Sequence, residues 1–164
     1  MIEAWRIVKR RYAVQAFDGE GARRFGGRWN SPGRPVIYVS ESRALATLEI
    51  LAGLGTTSPL PAWVMIGVRF PAQIVTDLGD LLGPLGLPDG WNAAPPTFVT
   101  QGIGDRWLEE ASSAVLRVPS VIVPAESNFL LNPRHPKFEL VEVGEPEELR
   151  LDPRLAAQKQ EKAR

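Results

Sequence analysis

The sequence predicts an α+β fold in which helices flank a mixed or mainly antiparallel sheet. Several short apolar segments of strand length are separated by long loops rich in glycine and proline, and only two segments have the length of substantial helices. The segments do not alternate regularly as strand, helix and strand, which argues against a parallel α/β sheet. A chain of 164 residues, 44% of them hydrophobic, suits a single domain around one core.

The first predicted strand covers residues 4–8 and contains Arg6 among apolar neighbours. The glycine-rich segment 17–27 is predicted as a loop. It lacks the third glycine of the dinucleotide-binding fingerprint, because Arg24 stands in that place, and it is not framed by a clear strand and helix. A Rossmann-type site is therefore rejected.

Residues 35–39 predict a short buried strand, and Ser40 is predicted to cap a helix that runs to about Leu54. The following segment, 56–61, is predicted as a linker. The helix would bury an apolar stripe made of Ala44, Leu45, Leu48, Leu51 and Ala52.

In the middle of the chain, residues 63–70 and 74–78 are predicted strands. Segment 79–96 is rich in Gly-Pro, Pro-Asp-Gly and Pro-Pro breakers, so it is predicted as a loop. A long loop within a compact domain is often a lid or binding loop, and disorder is the alternative. Residues 97–113 are predicted as a helix with four core candidates: Phe98, Ile103, Trp107 and Leu108.

Further along, residues 114–118, 121–124 and 138–143 are predicted strands, and 125–136 is predicted as a loop. That loop lacks the Gly-x-Ser-x-Gly elbow of hydrolases, so a serine nucleophile of that type is not supported. Its histidine, His135, is predicted to lie at the surface or to cap a turn. The polar residues 158–164 are predicted to fray.

The composition excludes several kinds of site. Lysine plus arginine equals aspartate plus glutamate at 19 each, so a basic footprint for nucleic acid over the whole chain is absent. The absence of cysteine and the presence of one histidine exclude cysteine-ligated zinc, thiolate nucleophiles and a histidine-rich metal site. No segment resembles a signal peptide or a membrane span. We therefore expect a cytoplasmic protein without direct nucleic-acid or membrane contacts.

Three polar side chains between residues 25 and 51 are candidates for function. Arg28 follows two glycines that allow close approach to a ligand, and its planar fork suits phosphate oxygens; a surface arginine on a tight turn is the alternative. Tyr38 lies in the short predicted strand. Glu49 lies at the edge of the helix's apolar stripe, where a carboxylate is costly to desolvate unless paired. It is a snorkelling residue at the rim, half of a structural ion pair, or a catalytic carboxylate in a cleft.

Segment 19–51, GEGARRFGGRWNSPGRPVIYVSESRALATLEIL, resembles the N-terminal signature of the RES domain, a family named after an Arg, a Glu and a Ser. Later pieces fit the same family in order: GDRWL at 104–108, LRVPS at 116–120, ESN at 126–128 and NPRHP at 132–136. The resemblance extends from about Trp5 to Val143, nearly the whole chain.

The resemblance implies the toxin half of a bacterial toxin–antitoxin pair, with a fold similar to ADP-ribosyltransferases of the diphtheria-toxin type. Members of the family degrade NAD+ by hydrolysis or phosphorolysis, and some ADP-ribosylate a protein. The implied partner is an Xre-like antitoxin with a helix-turn-helix domain that blocks the active site, in a hetero-oligomer. NAD+ is the implied substrate, with inorganic phosphate as a potential co-substrate, and neither a cofactor nor a metal is expected.

By the same resemblance, the catalytic residues are Arg28, Tyr38, Glu49 and Ser127. Ser120 is the alternative to Ser127 as the family's serine. Two residues are implied to bind the dinucleotide, Arg6 and Asn128.

Two other functions stay open at this point. One is transfer of ADP-ribose to a specific protein. The other is a module that binds a nucleotide or a partner protein without turnover, against which the intact Arg–Tyr–Glu set argues. Loss of NAD+ on incubation with the protein distinguishes an enzyme from such a module.

Overall fold

The computed structural model describes residues 1–54 and 62–157, so the predicted linker at 56–61 and the predicted frayed segment 158–164 lie outside the described residues. The strands in the described residues are Ile2–Lys9 (β1), Ile37–Ser40 (β2), Trp63–Phe70 (β3), Val75–Asp77 (β4), Val115–Pro119 (β5), Ser127–Leu131 (β6), Glu142–Val143 (β7) and Glu147–Leu149 (β8). The helices are Glu20–Phe25 (α1), Arg43–Gly53 (α2), Leu78–Leu82 (α3), Phe98–Glu110 (α4) and Pro153–Ala157 (α5).

The strands form one mixed sheet in the order β4-β5-β6-β2-β1-β3-β7, and β8 also pairs with β3. All neighbours are antiparallel except β4 and β5, which are parallel. Short helices lie between and beside the strands. The α+β fold with a mixed, mainly antiparallel sheet is therefore confirmed.

The sheet opens between β1 and β2. Strand β1 pairs with β3 along its whole length, whereas it meets β2 only at Trp5 and Ser40. Beyond that point no described strand pairs with Tyr38 on the β1 side, and the Arg6 guanidinium donates to the Tyr38 carbonyl through Nη1 at 2.7 Å. A buried backbone carbonyl is costly without a hydrogen bond, so Arg6 allows the two strands to separate.

The central strands are buried on both faces. Alternate residues of β2, β5 and β6 enter two clusters, which explains why apolar residues follow one another directly in β5 (Val115, Leu116) and β6 (129–131). One cluster contains Ile37, Val39, Val115, Phe129 and Leu131 with Val68 and Phe70 of β3. The other contains Val36, Leu116, Val118 and Leu130 with Trp29 and Trp107.

Strand β6 is the main element that sequence reasoning missed, because 125–136 was predicted as a loop. Its first two residues are polar and half-buried, and only its last three are buried and apolar. The predicted strand at 121–124 is wrong, since these residues form the turn between β5 and β6. The Ser120 hydroxyl accepts hydrogen bonds from the backbone N–H groups of Ile122 and Val123, 3.1 Å each.

The predicted strand at 138–143 is also largely wrong. A 3-10 helix occupies Pro136–Leu140, and only Glu142–Val143 pair with the sheet. Proline is favoured in the first turn of a helix, and the His135 ring accepts a hydrogen bond from the Lys137 N–H at 3.0 Å. The capping role predicted for His135 is confirmed.

Helix α2 begins later than predicted, because Ser42 rather than Ser40 caps it. The Ser42 hydroxyl accepts a hydrogen bond from the Leu45 N–H at 3.0 Å, while Ser40 belongs to β2. Leu45 and Ala46 are buried, but Leu48 of the predicted stripe is 41% exposed. The buried face of α2 is therefore rotated toward Glu49, which lies four residues after Leu45 and three after Ala46.

Two predicted loops contain short helices: α1 lies within 17–27, and α3 begins at Leu78 and continues into 79–96. Helix α4 agrees with the prediction for 97–113, and Trp107 is fully buried, but Phe98 is 83% exposed rather than part of the core.

None of the helices in residues 1–54 and 62–157 is long and apolar enough to cross a membrane.

Two glycines of α4 give a matched test of its packing. A Cβ at Gly104 would collide with the carbonyl of Trp29, whereas a Cβ at Gly102 would meet nothing within 4 Å. We expect Gly104→Ala to lower the free energy of unfolding by about 1–3 kcal/mol through overpacking. Gly102→Ala should raise it by roughly 0.5–1 kcal/mol through helix propensity. Urea denaturation checks both, and equal stability of the two variants would contradict this packing.

Candidate active site

A cleft of about 840 Å³ lies where β1 and β2 separate. Its size falls within the range of small-molecule sites, roughly 300–1,000 Å³. Its wall is formed by β1, by α1 and the loop after it, by β2 and α2, by the segment just before α4, and by residues around the β5–β6 turn. The polar residues among them include Arg6, Arg28, Tyr38, Ser40, Glu49 and Asn128.

Glu49 is held by one of its two carboxylate oxygens. Its Oε1 accepts a hydrogen bond from the Ser120 hydroxyl at 3.0 Å and one from the Asn128 amide at 2.6 Å. Asn128 is oriented in turn by Ser40, whose hydroxyl donates to the amide oxygen at 2.7 Å. Because that amide oxygen is occupied, the amide nitrogen faces Glu49.

The other oxygen of Glu49, Oε2, makes no hydrogen bond or ion pair within the described parts of the chain. Glu49 lines the cleft, so this oxygen is available to a ligand. A carboxylate with one fixed and one available oxygen is suited to bind a hydroxyl or to stabilise a developing positive charge. Among the described residues Glu49 forms no structural ion pair, which was one of the alternatives that the sequence left open.

Arg28 is fixed at its tip by backbone carbonyls. Its Nη1 donates to the carbonyl of Trp91 at 2.8 Å and to that of Ala93 at 2.9 Å. Burial lowers the pKa of Arg28 below its ordinary value, and the nearby Glu49 opposes this shift only in part. The Nε and Nη2 groups make no hydrogen bond with the described residues, so they can donate to an anionic ligand in the cleft.

Tyr38 orders the loop that carries Arg28. Its hydroxyl donates to the Asn30 side-chain oxygen at 2.8 Å and accepts a hydrogen bond from the Trp29 N–H at 3.1 Å. A Cβ at Gly27 would lie 2.7 Å from that hydroxyl, which explains why glycine is needed there. Burial raises the pKa of Tyr38 well above its ordinary value, so the phenol is neutral in the folded protein.

Arg6 lies in the wall of the cleft, and the described residues use only part of its hydrogen-bonding capacity. Its Nη1 bonds the Tyr38 carbonyl, but its Nε is buried without a hydrogen-bond partner among the described residues. Burial lowers the pKa of Arg6 to about 10, and Asp18 opposes this shift. Arg6 therefore places a positive charge beside the cleft that is weakly solvated and strongly attractive to an anion.

The structure brings Arg6, Arg28, Tyr38, Glu49 and Asn128 to one cleft. Ser127 opens β6, and its backbone carbonyl accepts a hydrogen bond from the Glu41 N–H at 3.0 Å. Within residues 1–54 and 62–157, its hydroxyl makes no hydrogen bond with Glu49.

The serine that contacts Glu49 is Ser120, which sequence reasoning kept as the alternative. Ser40 was missed, because its place before a helix favoured a capping role. No local signal marks it as a partner of Asn128, since 88 residues separate them.

No group of three or more histidine, aspartate or glutamate side chains in the described residues is arranged to hold a metal ion. The polar groups of the cleft are instead hydrogen-bond donors, two guanidinium groups and one carboxylate. That set matches a ligand with both anionic oxygens and hydroxyl groups.

Residues 3–152 match the RES domain. The chain belongs to the RES domain family. The match covers the whole of the cleft, so every candidate residue discussed above lies within the family's domain.

Two relatives resemble this RES chain over most of its length. Toxin Res of Yersinia enterocolitica is 39% identical over 152 residues, which cover 92% of this chain and 97% of the relative. The Prs ADP-ribosylating toxin of Sphingobium sp. is 36% identical over 154 residues, covering 92% and 94%.

The protein MbcT of Mycobacterium tuberculosis, an NAD(+) phosphorylase, is 38% identical over 68 residues, which cover 40% of this chain and 37% of MbcT. A chain in the crystal structure of the M. tuberculosis MbcT–MbcA toxin–antitoxin complex has a similar fold, with a TM-score of 0.73 and 20% identity. That likeness covers 97% of this chain and 87% of the other.

The buried Tyr38 hydroxyl can be tested against the exposed one of Tyr12. Tyr38→Phe leaves the Trp29 N–H and the Asn30 side-chain oxygen without their partner, so we expect the free energy of unfolding to fall by about 1–3 kcal/mol. Tyr12 is 50% exposed, and Tyr12→Phe should change stability little. Equal urea midpoints for the two variants would contradict the anchoring role of Tyr38.

The raised pKa of Tyr38 predicts a specific alkaline behaviour. The neutral phenol is favoured by folding, so its contribution to stability is complete below the ordinary tyrosine pKa of about 10 and is lost as pH rises above it. We expect wild-type stability to fall more steeply above pH ~10 than that of Tyr38→Phe. Denaturation midpoints measured across this pH range check the difference, and parallel curves would refute it.

Proposed function

We propose that this chain is a toxin that cleaves the bond between nicotinamide and ribose in NAD+. The observation that carries the proposal is the state of Glu49. One of its oxygens is fixed by Ser120 and Asn128, and the other is available in a cleft that also contains the guanidinium groups of Arg6 and Arg28. NAD+ presents ribose hydroxyls and a pyrophosphate, which are the partners that such a set of groups can bind.

The reaction requires little proton transfer at the leaving group. When the glycosidic C–N bond breaks, its electron pair goes to the pyridinium nitrogen, and neutral nicotinamide leaves. Positive charge develops on the ribose, as in glycoside hydrolysis. The site must hold the dinucleotide, stabilise this cation and admit a nucleophile whose lone pair forms the new bond at the anomeric carbon.

The proposed roles follow from these needs. Arg28 binds the pyrophosphate through its Nε and Nη2 groups, and Arg6 contributes a second positive charge. Glu49 binds the ribose hydroxyls and stabilises the cation through Oε2. Tyr38 keeps the Arg28 loop in place, and Asn128 orients Glu49.

The nucleophile determines the product. Water gives ADP-ribose, inorganic phosphate gives a phosphorylated ADP-ribose, and a protein side chain gives an ADP-ribosylated protein. Phosphorolysis is favoured by the two arginines of the cleft, which would attract phosphate, and by the described activity of MbcT. ADP-ribosyl transfer is the second candidate, favoured by the Prs ADP-ribosylating toxin.

The proposed partner is an Xre-like antitoxin that covers the cleft in a hetero-oligomer. The MbcT–MbcA complex supports an antitoxin partner, because that relative in fold forms a toxin–antitoxin complex. We propose that the enzyme acts in the cytoplasm and needs no cofactor.

The function is tested by following NAD+ concentration with purified protein, with and without inorganic phosphate, and identifying products by mass. Loss that requires phosphate supports phosphorolysis, and loss without phosphate supports hydrolysis. Label that moves from NAD+ onto protein in a cell extract supports ADP-ribosyl transfer. If NAD+ is stable in every condition and no label is transferred, the proposed enzyme activity is rejected in favour of a binding module.

The carboxylate role is tested by Glu49→Gln with Glu41→Gln as its control. Glu41 is exposed and lies just before the same helix, so its variant should turn over NAD+ normally. Glu49→Gln removes the negative charge that stabilises the cation, and we expect turnover to fall by about 100-fold or more. The melting temperature of each variant must stay near that of wild type. Normal turnover by folded Glu49→Gln would remove Glu49 from the mechanism.

The family's serine is tested by a pair of alanine variants. The family resemblance favours Ser127, whereas the contact with Glu49 favours Ser120. We expect Ser120→Ala to lower kcat for NAD+ more than Ser127→Ala, because Ser120 fixes the carboxylate. If both proteins are folded and Ser127→Ala lowers kcat more than Ser120→Ala does, Ser127 is the catalytic serine.

A further inference from the structure

Helix α4 holds the backbone of the loop that carries Arg28. The Gln101 side chain donates to the carbonyl of Gly27 at 3.1 Å. One turn later, Gly104 lies against the carbonyl of Trp29 with no room for a side chain. The next residue, Asp105, accepts hydrogen bonds from both the backbone N–H of Ser31, at 3.0 Å, and the Ser31 hydroxyl. The loop is therefore fixed on both sides of Arg28.

The guanidinium end of Arg28 depends on the chain that leads into the same helix. Its two hydrogen bonds go to the carbonyls of Trp91 and Ala93, a few residues before α4 begins at Phe98. Both ends of the Arg28 side chain are thus positioned by residues 91–105. A shift of α4 relative to the loop would move the backbone of Arg28 while its tip stayed tied to the preceding segment.

Asp105 is the charged group in this arrangement. Its hydrogen bonds within the described residues go to Ser31, and it forms no ion pair there. Other acidic residues of α4 behave differently, since Glu109 pairs with Arg34 and Glu110 with Arg106 at the surface. A carboxylate that bonds an N–H and an O–H of one residue makes charge-assisted bonds of defined direction. It fixes a loop more firmly than a neutral acceptor would.

Asp105 does not line the cleft, so it would act on a ligand through Arg28 rather than by contact. We infer that Asp105 is a positioning residue for the dinucleotide. The hydrogen bonds that Asp105 accepts from Ser31 fix the loop, and the loop fixes the position from which Arg28 binds the pyrophosphate. This inference rests on the proposed function. A displacement of about 1 Å at a binding group can cost on the order of 100-fold in rate, which is why a residue outside the cleft matters here.

The experiment measures binding of ADP-ribose by calorimetry, which needs no turnover, and uses Asp105→Asn. Asparagine keeps the size and one acceptor but loses the charge and the second acceptor for Ser31. We expect the dissociation constant of ADP-ribose to rise about tenfold, with the melting temperature nearly unchanged. The control is Glu110→Gln on the same helix, which should bind ADP-ribose as wild type does.

A double-variant cycle separates positioning from a general structural role. If Asp105 acts through Arg28, Asp105→Asn should weaken binding in the wild-type background but add little in an Arg28→Lys background. Hydrogen exchange should also show faster exchange of the Ser31 amide, confined to the loop, in Asp105→Asn. KM for NAD+ should rise more than kcat falls.

Other outcomes overturn the inference in distinguishable ways. If wild type binds ADP-ribose and Asp105→Asn binds equally well, Asp105 has no positioning role while the proposed function stands. If the effects of Asp105→Asn and Arg28→Lys simply add, or exchange accelerates throughout the protein, the role of Asp105 is structural. If wild type neither binds ADP-ribose nor consumes NAD+, the dinucleotide role fails for both residues.

Discussion

The separation of β1 from β2 is the constraint on which the rest of the site depends. A continuous sheet would leave no room between these strands, and a simple gap would leave backbone groups of β2 unpaired. The Arg6 guanidinium resolves this by bonding the Tyr38 carbonyl where the ladder stops. The same side chain brings positive charge to the cleft, so one residue both permits the opening and helps to define what can bind there.

Glu49 and Arg28, which both line the cleft, are supported in different ways. Glu49 is oriented by the side chains of Asn128, in β6, and Ser120, just after β5. Arg28 is oriented mainly by backbone carbonyls and by the packing of α4 against its loop. In both cases part of the side chain's hydrogen-bonding capacity is used for positioning and part is available to a ligand. Such preorganisation lowers the cost of arranging charged groups around a bound ligand.

Local sequence signals predicted the elements whose interactions are local. The apolar segment of β3, the helix α2 and the capping His135 follow from neighbours in sequence. Strand β6 was missed because its central place in the sheet depends on pairing with β2, which is about 90 residues away in the chain, as well as with β5. Its polar first residues looked like a loop, although a central strand can begin with a polar residue that lines a cleft, as Asn128 does.

The sequence alone determined the fold class, the residue types of the site and the family, because glycines, an arginine, a tyrosine and a glutamate at fixed spacings are local information. Only the tertiary structure decided which serine meets Glu49, why Ser40 matters and how α4 holds the Arg28 loop. These contacts join residues about 70 to 90 positions apart, such as Ser120 with Glu49 and Asp105 with Ser31. Hydrogen bonds of that kind depend on how the sheet brings its strands together, which no local pattern encodes.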